Sequence, residues 1–263
     1  MYGVDKQYKM AVLNEKQIRD GFNYFYRDEE HPKSVVEVSE YDGEDKLIIN
    51  CTQLDEGYSA KDKKRIWLEW CDFLVDNPDT FTELVFCTRM PQELFNAVCS
   101  QQKLKKLHIK WGVYPDISRI ANLTNLEYLH LGSGASVESI EPIAKLKNLV
   151  ALSIENFQKI NDYSPLTNLK NLESLSIEGD CFAPKNIHVN SFDFLNDMKQ
   201  LRYFNFLAGI LKSKDYTPIL SLENIEHLTL RPTKELKNLY NEIIKLPKLK
   251  YGLLVNKPEL YKI

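Results

Sequence analysis

Between Ile117 and Asp180 the apolar residues fall in a fixed order. An apolar residue recurs every third position, at Ile117, Ile120 and Leu123, and a Leu-x-x-Leu-x-Leu/Ile core follows. The cores are Leu126, Leu129 and Leu131; Leu149, Leu152 and Ile154; and Leu172, Leu175 and Ile177. Their first leucines stand 23 residues apart, and Asn125, Asn148 and Asn171 each precede one. The last two apolar positions of a core alternate with polar residues, the period of a short strand with one buried face. The spacing of three before them predicts a tight helical turn. One such unit leaves its apolar side uncovered. Stacked units cover it, so the pattern predicts a parallel sheet with one face on a core and the other lining a concave surface.

The period extends outward. Leu104, Leu107 and Ile109 precede the centre, and Phe81, Leu84 and Phe86 precede those. After it come Leu201, Phe204 and Phe206, then Ile225, Leu228 and Leu230, then a degraded copy at Leu249, Gly252 and Leu254. The first positions step by 23, 22, 23, 23, 29, 24 and 24 residues. The long step holds Cys181 to Asn190 and predicts an inserted loop of about six extra residues that bulges from one edge.

On these residues the segment resembles a leucine-rich-repeat protein of the short, 22–23-residue class, similar to internalins and phosphatase-regulator repeat proteins. The resemblance covers 104–230 clearly and 81–255 with weaker copies. It implies an α/β fold: a right-handed horseshoe solenoid with a parallel concave sheet. The family continues its core with an asparagine that bonds neighbouring turns. Here that place holds Gly112, Gly134, Phe157, Asp180, Gly209 and Thr233. No asparagine ladder is therefore expected, and the turns must be satisfied some other way.

Residues 1–78 lack the repeat. Asn14 is an N-cap candidate with Gln17 three residues on, opening a helix with Ile18, Phe22 and Phe25 on one face and an end at Pro32. Two β-branched runs around Asp42-Gly43 predict a hairpin. From Lys61 to Val75 a helix is expected, with Ile66, Trp70, Phe73 and Leu74 inward. A solenoid exposes the apolar end of its first repeat, so 1–78 is read as an α+β cap and 79–263 as the solenoid. A second reading makes 1–78 a separate functional unit. The polar stretch from Asn256 suits a short cap at the other end.

Composition narrows the function. The 263 residues carry a formal net charge of −3, which predicts no general attraction to nucleic acid or anionic membrane. No apolar run is long enough to span a bilayer, and the first residues lack a signal peptide's apolar stretch. The five cysteines form no Cys-x-x-Cys, so neither a disulfide framework nor a zinc site is expected. A cytoplasmic protein with reduced thiols follows as the expectation.

Strand alternation also predicts the concave surface layer by layer. The layers hold Glu83, Val85, Cys87; Lys106, His108, Lys110; Tyr128, His130, Gly132; Ala151, Ser153, Glu155; Ser174, Ser176, Glu178; Tyr203, Asn205, Leu207; His227, Thr229, Arg231; and Tyr251, Leu253, Val255. His108 and His130 should be neighbours, without a third ligand to hold a metal. Glu155 and Glu178 should also be neighbours. An open sheet gives neither a pocket that would shift its pKa, so a plain solvated face or an acidic patch for a basic partner group is expected rather than an acid/base pair. Ala151, Ser153, Ser174 and Ser176 form a floor of small residues between Tyr128 and Tyr203, a slot able to accept a loop or side chain.

The chain carries no Gly-rich phosphate loop, Gly-x-Ser-x-Gly or His-Glu-x-x-His. The reading is a non-enzymatic protein-interaction module without cofactor. Its partner-binding candidates are Tyr128, His130, Glu155, Glu178, Tyr203, His108, His227 and Arg231. An inhibitor or immunity-type role is the sharper version. The alternative is an enzyme with its site in the N-terminal region or the 181–190 insertion, where Cys181 and His188 lie.

Overall fold

A computed structural model describes residues 12–21, 31–180 and 185–262. The chain begins with helix α1 (Glu15–Asp20), strands β1 (Lys33–Val35) and β2 (Lys46–Ile49), and helix α2 (Ala60–Asp76). Next come β3 (Glu83–Phe86), β4 (Met90–Pro91), α3 (Gln92–Val98), β5 (Lys106–Ile109) and β6 (Gly112–Val113). The central repeats give β7 (Tyr128–Leu131), β8 (Ala151–Glu155) and β9 (Ser174–Glu178). Then follow β10 (Ile187–Val189), β11 (Tyr203–Leu207), β12 (Gly209–Leu211) and β13 (His227–Leu230). Helices α4 (Lys234–Ile243) and α5 (Leu253–Asn256) close the chain.

One nine-stranded sheet has the order β1-β2-β3-β5-β7-β8-β9-β11-β13, and every pairing in it is parallel. The three central cores thus lie on adjacent parallel strands, as their 23-residue step predicts. Register stacks like on like. Leu84, Leu107, Leu129, Leu152, Leu175, Phe204 and Leu228 form one inward column, and Phe86, Ile109, Leu131, Ile154, Ile177, Phe206 and Leu230 the next. Both columns belong to a single apolar core that runs from Val35 to Tyr261. The chain is a leucine-rich-repeat solenoid of α/β class.

The spacing of three becomes a 3₁₀ turn in five consecutive units, at Ser118–Asn122, Ile143–Lys145, Ser164–Asn168, Asp193–Asp197 and Thr217–Ser221. Two polar ladders hold these coils. Asp116, Ser139, Asp162, Ser191 and Asp215 each accept, through a side-chain oxygen, the backbone N–H two residues on, at 2.8–3.2 Å. Those local bonds start the turns. The second ladder is formed by asparagines just before the core. Asn125, Asn148, Asn171 and Asn224 donate through Nδ2 to carbonyls of the preceding coil, at Gln102, Thr124, Lys147 and Lys199, over 2.7–2.9 Å. Each of these asparagines precedes the first apolar residue of a core: Leu126, Leu149, Leu172 and Ile225.

Three expectations are corrected. Around Asp42-Gly43 there is no hairpin: β1 and β2 pair in parallel, with the connection making a 3₁₀ turn at Val38–Glu40. Tyr41 explains it, since its ring lies 5.2 Å from Phe73 and 5.6 Å from Phe81 and draws the connection across the core side. The stretch is an extra, degenerate coil. The last copy is not a strand either. Tyr251 makes one isolated bridge to His227, and Leu253 and Val255 are helical. Gly252, at φ +99°, turns the chain there, and a Cβ on it would lie 2.2 Å from the Leu228 carbonyl oxygen. The insertion, finally, is not all loop. Ile187–Val189 forms β10, which pairs in parallel with β12. Residues 181–184, with Cys181, lie outside the described residues, as do Phe22 and Phe25.

At the N-terminal end α2 covers the sheet with Ile66, Trp70 and Leu74, and Trp70 Nε1 donates to the Val36 carbonyl at 2.8 Å. Buried Gln101 ties this helix to the first repeat: its Nε2 donates to the Leu74 and Asn77 carbonyls, and its Oε1 accepts from Phe81 N–H.

A concave slot filled by the N-terminal segment

The outward face of the sheet carries the columns that alternation predicts. Lys106, Tyr128, Ala151, Ser174, Tyr203 and His227 run across it in register, and His108, His130, Ser153, Ser176, Asn205 and Thr229 form the next column. Tyr128 and Tyr203 flank the small residues Ala151 and Ser174, so the slot exists.

It is not open. Leu13 and Ile18, both buried, pack into one cluster with Tyr128, Val150, Ala151 and Tyr203. Helix α1 therefore lies on the concave face and not over the end of the solenoid. Asn14 caps it as the sequence predicts: its side chain accepts from Gln17 N–H, and Gln17 returns a bond to the Asn14 backbone. Leu13 stands one residue before the cap and Ile18 four after it, the positions of a hydrophobic staple, which turns both apolar side chains to one side. Gly21, at φ +81°, ends the helix against Tyr203.

A charged clamp grips the same segment by its backbone. Glu173 accepts Val12 N–H at 2.8 Å and Leu13 N–H at 3.1 Å. Arg202 donates to the Leu13 carbonyl at 2.7 Å while pairing with Glu173 at 2.9 Å and Glu226 at 2.7 Å. Tyr251 adds a hydrogen bond from its hydroxyl to Glu15. The clamp continues a charged column, Lys105, Glu127, Glu173, Arg202, Glu226 and Lys250, each residue following a core apolar position. In β8's coil that position is Val150, and the break in charge is where Leu13 lands.

The eight candidates separate accordingly. Tyr128, Tyr203, His108 and His227 are buried, which corrects the expectation of exposed walls. His227 lies against the backbone of Ile18 and Arg19, and burial lowers its pKa. His108 and His130 are neighbours, their rings stacked at 4.3 Å and 11°. Burial pushes His130 down to about 4, and its Nδ1 sits 3.0 Å from Ser153 Oγ, so it is neutral at pH 7. No group of three or more metal-ligating side chains occurs among the described residues. Arg231 is exposed, away from this cluster.

Glu155 and Glu178 are register partners. Glu178 Oε1 accepts from Ser176 Oγ at 2.6 Å and Asn205 Nδ2 at 2.5 Å. Glu155 corrects the expectation of unshifted carboxyls: burial, with the like charges of Glu178 and Asp180, pushes it up to about 7. A cavity of about 320 Å³ remains beside the end of α1, walled by Asp20, Gly21, Ser153, Ser176, Glu178 and Asn205. Asn205 is buried and its Oδ1 has no hydrogen-bond partner among the described residues.

A raised carboxyl pKa has a defined sign. The fold favours protonated Glu155, so its contribution to stability is complete below about pH 4.5 and lost as pH rises through about 7. Glu155→Gln should leave the urea midpoint unchanged at pH 4 and raise stability at pH 8. The expected gain is about 1–2 kcal/mol, discounted from the full shift because solvent reaches this side chain. A variant no more stable than the parent at pH 8 would contradict the burial argument.

The cysteines offer no nucleophile among the described residues. Burial pushes Cys51 and Cys71 up to about 12 and raises Cys87 and Cys99 as well, so none of the four is a thiolate near neutral pH. His188 is exposed on β10. A second hollow of about 710 Å³ lies between α2 and the β4–β6 edge, lined in part by Lys63, Lys64, Trp67 and Arg89. No described helix is long and apolar enough to cross a membrane.

No protein-family model matches the chain, and no curated protein matches it. Among solved structures it is similar to an internalin from Listeria monocytogenes, with 18% identity and a TM-score of 0.40, covering 74% of this chain and 56% of that one. Internalin C2 of the same organism is 23% identical with a TM-score of 0.42, at 65% and 68% coverage. A leucine-rich-repeat protein from Leptospira interrogans is 16% identical with a TM-score of 0.40, at 78% and 60%. The chain spans little more than half the length of the first of these. The assignment to the leucine-rich-repeat class rests on its own parallel register and repeating core.

Proposed function

We propose that this protein is a non-enzymatic interaction module that binds a protein partner on its concave face. The observation that carries the reading is the slot itself. Small side chains between two tyrosines, with a charged clamp at the rim, already seat an apolar segment by side chain and by backbone. Large aromatic residues in such a setting are the usual anchors of an interface. Beside the slot, Glu155 and Glu178 make no ion pair with a described residue. A lysine or arginine from a partner would answer both that acidic pair and the Asn205 Oδ1 acceptor. An inhibitor or immunity-type protein that occludes a basic enzyme surface is the sharper form of this reading. A cytoplasmic setting belongs to the same proposal, supported by the free, buried thiols of Cys51 and Cys99.

The test begins with capture of a partner from the source cells by the full chain, followed by binding kinetics. Glu155→Gln with Glu178→Gln should slow association about tenfold at low salt and little at high salt, as rim charges do. Tyr203→Ala should weaken the complex about thirtyfold, since truncating an anchor costs about 2 kcal/mol. Tyr203 also supports α1, so unfolding midpoints are measured alongside. If both variants bind like the parent while changes within 185–190 abolish binding, the concave reading is wrong.

A further inference from the structure

Resting on the concave reading, the geometry points to a specific exchange: a partner inserts a helix-initiating segment into the slot and displaces residues 12–20. We infer that the slot recognises a short amphipathic segment with an apolar residue before an N-cap and a second apolar residue five positions after the first.

The resident segment defines that chemistry. Leu13 and Ile18 are five residues apart across the cap at Asn14, and both enter the cluster of Tyr128, Val150, Ala151 and Tyr203. Apart from the Tyr251–Glu15 hydrogen bond, the remaining polar recognition is by backbone: Glu173 takes two consecutive N–H groups and Arg202 supplies a donor to one carbonyl. Backbone groups are common to all sequences, so any chain offering the same two apolar groups around a cap fits. The clamp residues are built in, with Glu173 buried and Arg202 held between two carboxylates. Val150 interrupts the charged column at the one coil where an apolar socket is needed.

The resident is also poorly held by itself. A six-residue helix is far below the length at which an isolated helix persists, so α1 exists only while docked. Gly21, at φ +81°, ends it against the slot wall, where a Cβ would meet Tyr203 Oη at 2.9 Å. The resident is carried on the same chain as the slot, so a free peptide competes poorly against it, while a partner that also pairs with Glu155 and Glu178 competes well.

The test uses full chains and a fluorescent peptide with the sequence of residues 12–21. Fluorescence anisotropy should show the peptide binding Leu13→Asp/Ile18→Asp at least tenfold more tightly than the parent. Adding Ala151→Arg to that variant should abolish the gain. Circular dichroism confirms that each variant is folded. Hydrogen exchange supplies a readout on the unmodified protein: the Leu13 and Ile18 amides should exchange much faster than those of β8. A folded double variant that binds the peptide no better than the parent overturns the inference. So does exchange at Leu13 and Ile18 as slow as in β8, which makes the segment a permanent part of the fold. A captured partner that does not compete with the peptide on the double variant leaves the concave reading standing and overturns the exchange alone.

Discussion

Phe192→Ala should cost about 3–5 kcal/mol of unfolding free energy, the range for losing a fully buried aromatic side chain. Phe192 is wholly buried where the solenoid resumes after its insertion. Four rings meet it edge-on: Phe206 at 5.1 Å, Phe204 at 5.5 Å, Tyr216 at 5.8 Å and Phe194 at 6.2 Å, with interplanar angles of 80–88°. That arrangement sets ring edges against ring faces, which adds to simple area burial. Two successive coils contribute to the cluster, so the cavity left by alanine could close only by moving the coils relative to each other. Urea unfolding measures the cost. Leu68→Ala, on an exposed position of α2, serves as control and should stay within about 0.5 kcal/mol. A Phe192→Ala cost near that of the control would show that the coils there repack freely.

Arg202→Met is expected to destabilise the protein by about 3 kcal/mol or more at pH 7. The guanidinium pairs with Glu173 and Glu226, and all three side chains are only 12–17% exposed. Removing the cation leaves two largely buried carboxylates side by side, with Lys250 near Glu226 at 3.6 Å. Breaking one member of a buried network is costly because the remaining charge is uncompensated. The triple variant with Glu173→Gln and Glu226→Gln should recover most of the loss. The single variant should also speed exchange of the Val12 and Leu13 amides, which lose their clamp. If the single and triple variants unfold at the same urea concentration, the network is not what holds this edge.

Much of this architecture is legible in the linear chain because a solenoid is nearly one-dimensional: each coil touches only its neighbours, so a local period becomes a spatial register. The 23-residue step sets the inward columns, and the alternation of Tyr128, His130 or Ala151, Ser153 sets the outward ones. The repetition of Asn125, Asn148 and Asn171 is visible in the chain, but the sequence alone predicts no asparagine ladder, and these bonds appear only when each Nδ2 meets the coil before it. The Asp and Ser residues that open the turns, from Asp116 to Asp215, share the period and carry the same signal.

Where the period lapses, the chain alone determines less. Two β-branched runs around Asp42-Gly43 fit an antiparallel hairpin locally, and the non-local pull of Tyr41 toward Phe73 and Phe81 selects a parallel coil. The deeper difference is at the slot. Local pattern makes Asn14 a cap and places Leu13 and Ile18 as a staple, but it does not say what they cover. That depends on contacts across some 160 residues of sequence, from Val12 and Leu13 to Glu173. Such pairings leave no periodic trace. Composition and period thus determine the solenoid and its columns. Only the tertiary structure decides that the chain lays its own N-terminal segment across them, because that choice is made by burying two apolar side chains and satisfying one backbone clamp at long range.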